Sequence, residues 1–191
     1  MDAMSLLHNR NSTATLSDPA PNDKQLNAMF KAAVRAPDHG WLRPWRFLTI
    51  QGDSRHQLGT VFANAAIKRA AQQQQPAPAV AKLEKLALKP LRAPLIVTVI
   101  AQTRPQVKVP VVEQLISAGC AAHSILLAAH ALGFGAIWRT GSNSYCPHVK
   151  TDLGLSEQEE IVGFLYIGTA SSGYKAIPEL IVEDFCRPWT A

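Results

Sequence analysis

Three short polar runs carry the chemistry this chain can offer: Arg10-Asn11-Ser12, Arg35-Ala36-Pro37-Asp38-His39 and Trp138-Arg139-Thr140-Gly141. Each follows a stretch with helical patterning and therefore presents its donors from a loop. Arginine next to a hydroxyl suits a phosphate or the anionic edge of a ring, because guanidinium offers a planar fork of N–H donors and the hydroxyl adapts to what is left. Taken singly, each run has a simpler explanation. An arginine at a helix end commonly serves terminal carbonyls and solvent, and Pro37 is accounted for as a helix stop. It is the shared placement of the three runs that points to a small anionic ligand.

Other chemistries are excluded by pattern. The motifs HExxH, GxSxG and GxxxxGK[ST] are absent, which removes metalloprotease, esterase and P-loop readings. Gly133-Phe134-Gly135 has Trp138 where a dinucleotide fingerprint needs its third glycine, and it follows a helix rather than a strand, so any nicotinamide must bind without a Rossmann site. His123 and His130 share a helix face with Ser117 and Ser124, but neither has an acidic residue or cysteine three or four positions on. They read as packed histidines, and no metal site is expected.

The elements that must position these runs follow from periodicity. A short helix spans Asp2 to Asn9, and a second, from Asn22 to Arg35, has Leu26, Met29, Phe30, Ala33 and Val34 on one face. Trp45 to Ile50 reads as a strand, and Asp53 or Ser54 can cap a helix reaching about Ala71. Four glutamines and Pro76-Ala77-Pro78 then break regularity, and the Gln72 to Pro78 stretch is expected to be a mobile cover before a short helix from Val80 to Leu88. Pro94 to Ile100 is a continuous β-branched run, expected as a strand covered on both faces. Pro110 to Leu132 is apolar nearly all round and closed by Gly133, so it is expected either as the central buried helix or as one partly covered by a second subunit. Extended chain from Gly135 to Trp138, a short helix from Cys146 to Leu153 and a strand from Ile161 to Ile167 complete an α+β pattern in one domain over 1–191.

Composition bounds the rest. The 191 residues are 47% hydrophobic and 17% charged, as expected of a globular chain and not of a disordered one. No uninterrupted apolar run approaches the roughly 18 residues of a bilayer crossing, and Met1-Asp2-Ala3-Met4 lacks the basic flank of a secretory leader, so no membrane partner and a cytoplasmic location are expected. Cys120, Cys146 and Cys186 are too widely spaced for a disulfide framework and read as free thiols. A formal charge of +5 favours anionic partners. Its lysines and arginines are scattered without an aromatic stripe, so a phosphorylated small molecule is favoured over nucleic acid.

The order of four segments resembles the nitroreductase family, and within it the short YdjA-type members. These segments are Asn9-Arg10-Asn11-Ser12; Arg35 to His39 followed by Arg43-Pro44-Trp45-Arg46-Phe47; Ser117 to Ala122; and Gly133 to Gly141. The likeness covers nearly the whole chain and weakens at the glutamine run and in the tail. It implies a nitroreductase-like FMN-binding fold, a central mixed sheet flanked by helices, and a homodimer with FMN sites shared between subunits. Carried over by position, Arg10, Asn11 and Ser12 correspond to phosphate and ribityl contacts. Arg35 and His39 correspond to the partner's contribution, and Trp138, Arg139 and Thr140 to the segment beside the isoalloxazine. Arg187 stands in for basic residues that longer members place near their C-terminus. Many relatives carry asparagine and glutamine where this chain has Trp41 and Arg43, and both are left outside the expected site. The implied activity is hydride transfer from NAD(P)H to FMN and reduction of a small nitroaromatic or quinone-like acceptor by ping-pong kinetics. No side chain is assigned a catalytic role. The alternative is a non-catalytic flavin-binding or cofactor-sensing module.

Overall fold

A computed structural model describes residues 2–171 and 176–190. Met1, part of the expectation about a leader, lies outside them. Six helices are described: α1 (Ala3–Asn9), α2 (Asp23–Ala33), α3 (Ser54–Gln72), α4 (Val80–Ala87), α5 (Val111–Ala131) and α6 (Pro147–Asp152). They accompany five strands: β1 (Leu16–Ser17), β2 (Trp45–Gln51), β3 (Leu95–Gln102), β4 (Gly135–Arg139) and β5 (Glu159–Ala170). The periodic segments of the sequence all form, within a few residues of their expected bounds. The two-residue β1 has no sequence pattern of its own and forms because Leu16 and Ser17 pair with Ala170 and Thr169.

Helix starts differ in how they are satisfied. Asp2 caps α1 through its carboxylate, and Asn22 with Gln25 forms a reciprocal capping box on α2. Asp53 occupies the cap position of α3, but its side chain makes no capping bond.

The α+β class stands, whereas the mixed sheet does not: every described pairing is antiparallel, with β5 beside β3, β3 beside β2, and both β1 and β4 on β5. The connections explain it. Between β2 and β3 the chain runs out along α3 and back along α4, so β3 starts near the end where β2 finished. The single helix α5 carries β4 back in the same direction as β3, and antiparallel β5 inserts between those two.

Two apolar layers sandwich the sheet. On one face α2 and α5 pack Met29, Ala121 and Ile125 against Leu95, Val97 and Val99, and Phe30 stacks on Phe47 with ring centroids 5.2 Å apart. On the other, Leu58, Phe62 and Ala65 of α3 meet Ile96, Phe164 and Tyr166. Buried on both sides, β3 therefore reads as an unbroken apolar run. Helix α5 is long and apolar enough to cross a bilayer by length and composition alone. Here it packs against α2, β3, β4 and β5. At its start the buried Gln114 is fully used: its amide donates to the carbonyls of Arg104 and Val109, and its Oε1 accepts from the Arg104 N–H at 2.8 Å.

A Cβ on Gly59 would fall on the Ala87 backbone, with the carbonyl carbon 2.9 Å away, because α3 crosses α4 there. Backbone cannot yield as a side chain does. Gly59→Ala is expected to cost about 1–3 kcal/mol through overpacking, read as a lower thermal midpoint.

Candidate functional site

Strand β4 organises the site, because the sequence on either side of it is tied down differently. At its start, the Thr13 N–H donates to the Ala136 carbonyl at 2.9 Å, laying residues 10–13 alongside the strand. Arg10 is the C-terminal cap residue of α1, its N–H bonded to the Leu6 carbonyl. Its charge reaches His130 at the end of α5: burial, and secondarily Arg10, hold His130 below the ordinary histidine range. The Asn11 Oδ1 and Thr13 Oγ1 atoms are buried here, and Thr13 Oγ1 makes no hydrogen bond among the described residues. Positive charge and buried acceptors thus converge where Arg10, Asn11 and Ser12 were expected to act.

At the other end of β4, side chains alternate between the two faces. Trp138 turns toward α5, donating its indole N–H to the Val162 carbonyl at 3.2 Å, and it lies over Gly163, where any Cβ would collide with the indole nitrogen. Arg139 turns the opposite way, its guanidinium 5.7 Å from the ring centroid of Tyr166. It borders a cavity of about 250 Å³ with Phe62 from α3, Lys89 and Arg92 from the 3-10 turn Lys89–Arg92, and Asn143 from the loop after β4. Trp138 and Thr140 also line it.

This cavity has an aromatic floor and a cationic wall, and no acidic residue lines it among the described residues. Phe62 and Phe164 meet edge to face at 5.3 Å, and burial pushes the Tyr166 phenol up to about 12. Burial also pulls Lys89 below the ordinary lysine range, helped by repulsion from Arg92, Arg139, Lys85 and Arg69. Inside the same wall, Arg139 Nε and Asn143 Oδ1 are buried without hydrogen-bond partners among the described residues. A concave site with an aromatic floor, cations that form no ion pair among the described residues, and orphaned polar atoms suits a ligand with an aromatic body and an anionic, hydrogen-bonding edge. Above it, Arg69 at the end of α3 donates to the Ser142 carbonyl at 3.3 Å, next to Asn143, and the exposed glutamine run leaves from there.

Arg35 and His39 are not part of this cavity. Arg35 follows α2, exposed, and borders a separate cavity of about 220 Å³ with Asp38, Trp41, Arg43 and Trp45. The His39 Nδ1 lies 2.6 Å from Glu113 Oε2, joining the turn His39–Trp41 to the start of α5 at the surface. A single chain therefore brings Arg10–Ser12 and Trp138–Thr140 to one strand and leaves Arg35 and His39 facing outward. Arg187 is exposed in the tail. Lys89, Arg92 and Asn143 escaped sequence reasoning because a lysine and an arginine on a short turn look like ordinary solvated charge; only the fold sets them against Arg139.

Residues 7–169 match the model of the Nitroreductase family. The chain belongs to the nitroreductase family. It is 43% identical over 184 residues to the "Putative NAD(P)H nitroreductase YdjA" of Escherichia coli K12, covering 96% of each chain. Among solved structures, a nitroreductase-like family protein from Bacillus cereus superposes with a TM-score of 0.82 at 20% identity, over 100% of this chain and 97% of that one. A nitroreductase from Desulfovibrio desulfuricans in complex with FMN gives 0.73 at 20% identity over 98% and 97%. At such identities the structural likeness speaks for the fold alone. The protein is thus an oxidoreductase by family, and none of its described residues group three or more histidines, cysteines or carboxylates around a potential metal position.

Proposed function

We propose that this nitroreductase binds FMN along β4, takes reducing equivalents from NAD(P)H and passes them to a small nitroaromatic or quinone-like acceptor. The observation that carries the reading is the cation-walled, aromatic-floored cavity at the end of β4 with its unpartnered Arg139 Nε and Asn143 Oδ1. Bound FMN would supply hydride acceptance at its N5 and return of electrons to a second substrate. Lys89, Arg92 and Arg139 would hold the negative charge that reduction places on the ring edge, and the aromatic floor would keep water from its back. Arg10, Asn11 and Ser12 would hold phosphate and ribityl at the start of the strand. With no Rossmann site, one cleft serves both substrates in turn, which predicts ping-pong kinetics.

The reading includes a homodimer in which Arg35 and His39 complete the site of the partner. In support, α5 leaves Val112 and Ile116 about 60% exposed on one side, and α1, packed on α5, adds exposed Met4 and Leu7. The tail holds Phe185 and Trp189 out at 76% and 89% exposure. Apolar side chains left uncovered on these elements support a contact with a second copy. Three free cysteines agree with a reducing, cytoplasmic setting.

Arg10→Ala and Arg35→Ala are each expected to lower FMN retention on purification without lowering the melting temperature of the apo-protein. Full FMN in both would remove them from the site. Steady NAD(P)H consumption with a quinone acceptor tests the activity, whereas tight flavin with no turnover would make the protein a binding module.

A further inference from the structure

The second cavity, about 220 Å³ between the end of α2 and the start of β2, is separate from the one at the end of β4, and its construction is unusual. Three residues of its loop take left-handed backbone: Gly40 at φ 71°, Trp41 at 56° and Arg43 at 48°. Two of these are not glycines, and a tryptophan is an unfavourable choice there. The conformation is fixed by the Asp38 carboxylate, which accepts the Arg43 N–H at 2.7 Å, and by the Trp45 N–H, which donates to the Arg43 carbonyl at 2.8 Å. The result holds the Trp41 indole 81% exposed with the Arg43 guanidinium 5.8 Å from its ring centroid. Arg35 lies across the same cavity. Neither guanidinium forms an ion pair among the described residues, and the one lining carboxylate is engaged with backbone.

We propose that this cavity selects the acceptor, favouring aromatic molecules that carry a carboxylate or sulfonate: the ring lies on the Trp41 indole and the anion is held by Arg43 and Arg35. An indole face with two unpaired guanidinium forks matches a flat ring with an anionic substituent, and a neutral ring would leave both cations unanswered. The inference rests on the flavoprotein reading, in which Arg35 adjoins the partner's flavin. In the overall reaction, hydride from NAD(P)H brings two electrons and one proton, a second proton comes from solvent, and a quinone becomes its hydroquinone while NAD(P)⁺ is released. The phosphates of NAD(P)H share this anionic chemistry, and the test separates the two sources.

The holoenzyme is assayed with 1,2-naphthoquinone-4-sulfonate and with neutral menadione, in wild type, Arg43→Gln and Trp41→Ala. Calorimetric titration with unreactive 2-naphthalenesulfonate gives binding apart from turnover. The expected result is a KM for the sulfonate at least tenfold below that for menadione in wild type. That ratio should fall at least fivefold in each variant, with a parallel rise in the dissociation constant for naphthalenesulfonate. A wild-type ratio near one, or a ratio and affinity unchanged in FMN-loaded variants, overturns the proposal and leaves the flavoprotein reading intact. A raised KM for NAD(P)H with the acceptor ratio unchanged assigns the cavity to the nicotinamide nucleotide and also overturns it. So does a variant that becomes monomeric yet keeps its naphthalenesulfonate affinity, since Trp41 and Arg43 would then serve the subunit contact. Wild-type protein that takes up no FMN sinks the flavin reading itself.

Discussion

Lys89→Gln is expected to lower FMN affinity at least tenfold, about 1.4 kcal/mol, while the apo-protein melts at the same temperature or higher. Both halves come from one arrangement. Lys89 is pressed by burial and by Arg92, Arg139, Lys85 and Arg69, with no carboxylate lining its cavity to offset them. Removing one charge relieves repulsion in the empty protein and withdraws a donor from the ring edge in the loaded one. Because the empty protein disfavours charged Lys89 and an anionic ligand restores it, binding should take up protons and tighten as pH falls from the alkaline side. Isothermal titration of apo-protein with FMN across pH measures this. A variant with lower apo stability and unchanged FMN affinity would make Lys89 a structural residue.

Glu159→Gln should have the largest effect on stability. Glu159 lies at the start of β5, its side chain 9% exposed, and accepts from the Arg46 guanidinium on both oxygens, including Nη2 at 2.9 Å, from the Gln102 amide at 3.2 Å and from the Ser156 N–H at 2.9 Å. The Arg46 bonds, more than any other cause, hold its carboxyl at about 2 against an ordinary 4.5. A carboxyl depressed in the folded state contributes its stability above the ordinary value and loses it as pH falls through about 4.5 toward 2. The contribution at neutral pH is about 3 kcal/mol, which for a chain of this size is a fall of roughly 6–12 °C in melting temperature for the variant. Melting curves of both proteins should converge toward pH 2. A gap independent of pH would trace the loss to packing instead.

Much of this architecture is legible in the sequence because its signals are local. The β-branched run of β3 says it is covered on both sides, and the helical spacing of Leu26, Met29 and Ala33 says which face of α2 is buried. The strand directions are not local: whether β3 returns parallel or antiparallel depends on how far α3 and α4 carry the chain out and back. For α5 the sequence leaves two readings open, a central buried helix or one partly covered by a second subunit, because an apolar helix looks the same either way; in the fold Val112 and Ile116 face outward. The site divides similarly. Arg10 to Ser12 and Trp138 to Thr140 were found as polar runs in a recognisable order, whereas Lys89, Arg92 and Asn143 acquire meaning only beside Arg139.

On the proposed function, two chains hold FMN through β4 and each other's loops. Light scattering coupled to size exclusion, read together with the visible spectrum of the same peak, tests it most directly. A particle of twice the chain mass carrying one flavin per chain, bleached when NAD(P)H is added, is the expected result. A single-chain particle that remains colourless after incubation with excess FMN would contradict it.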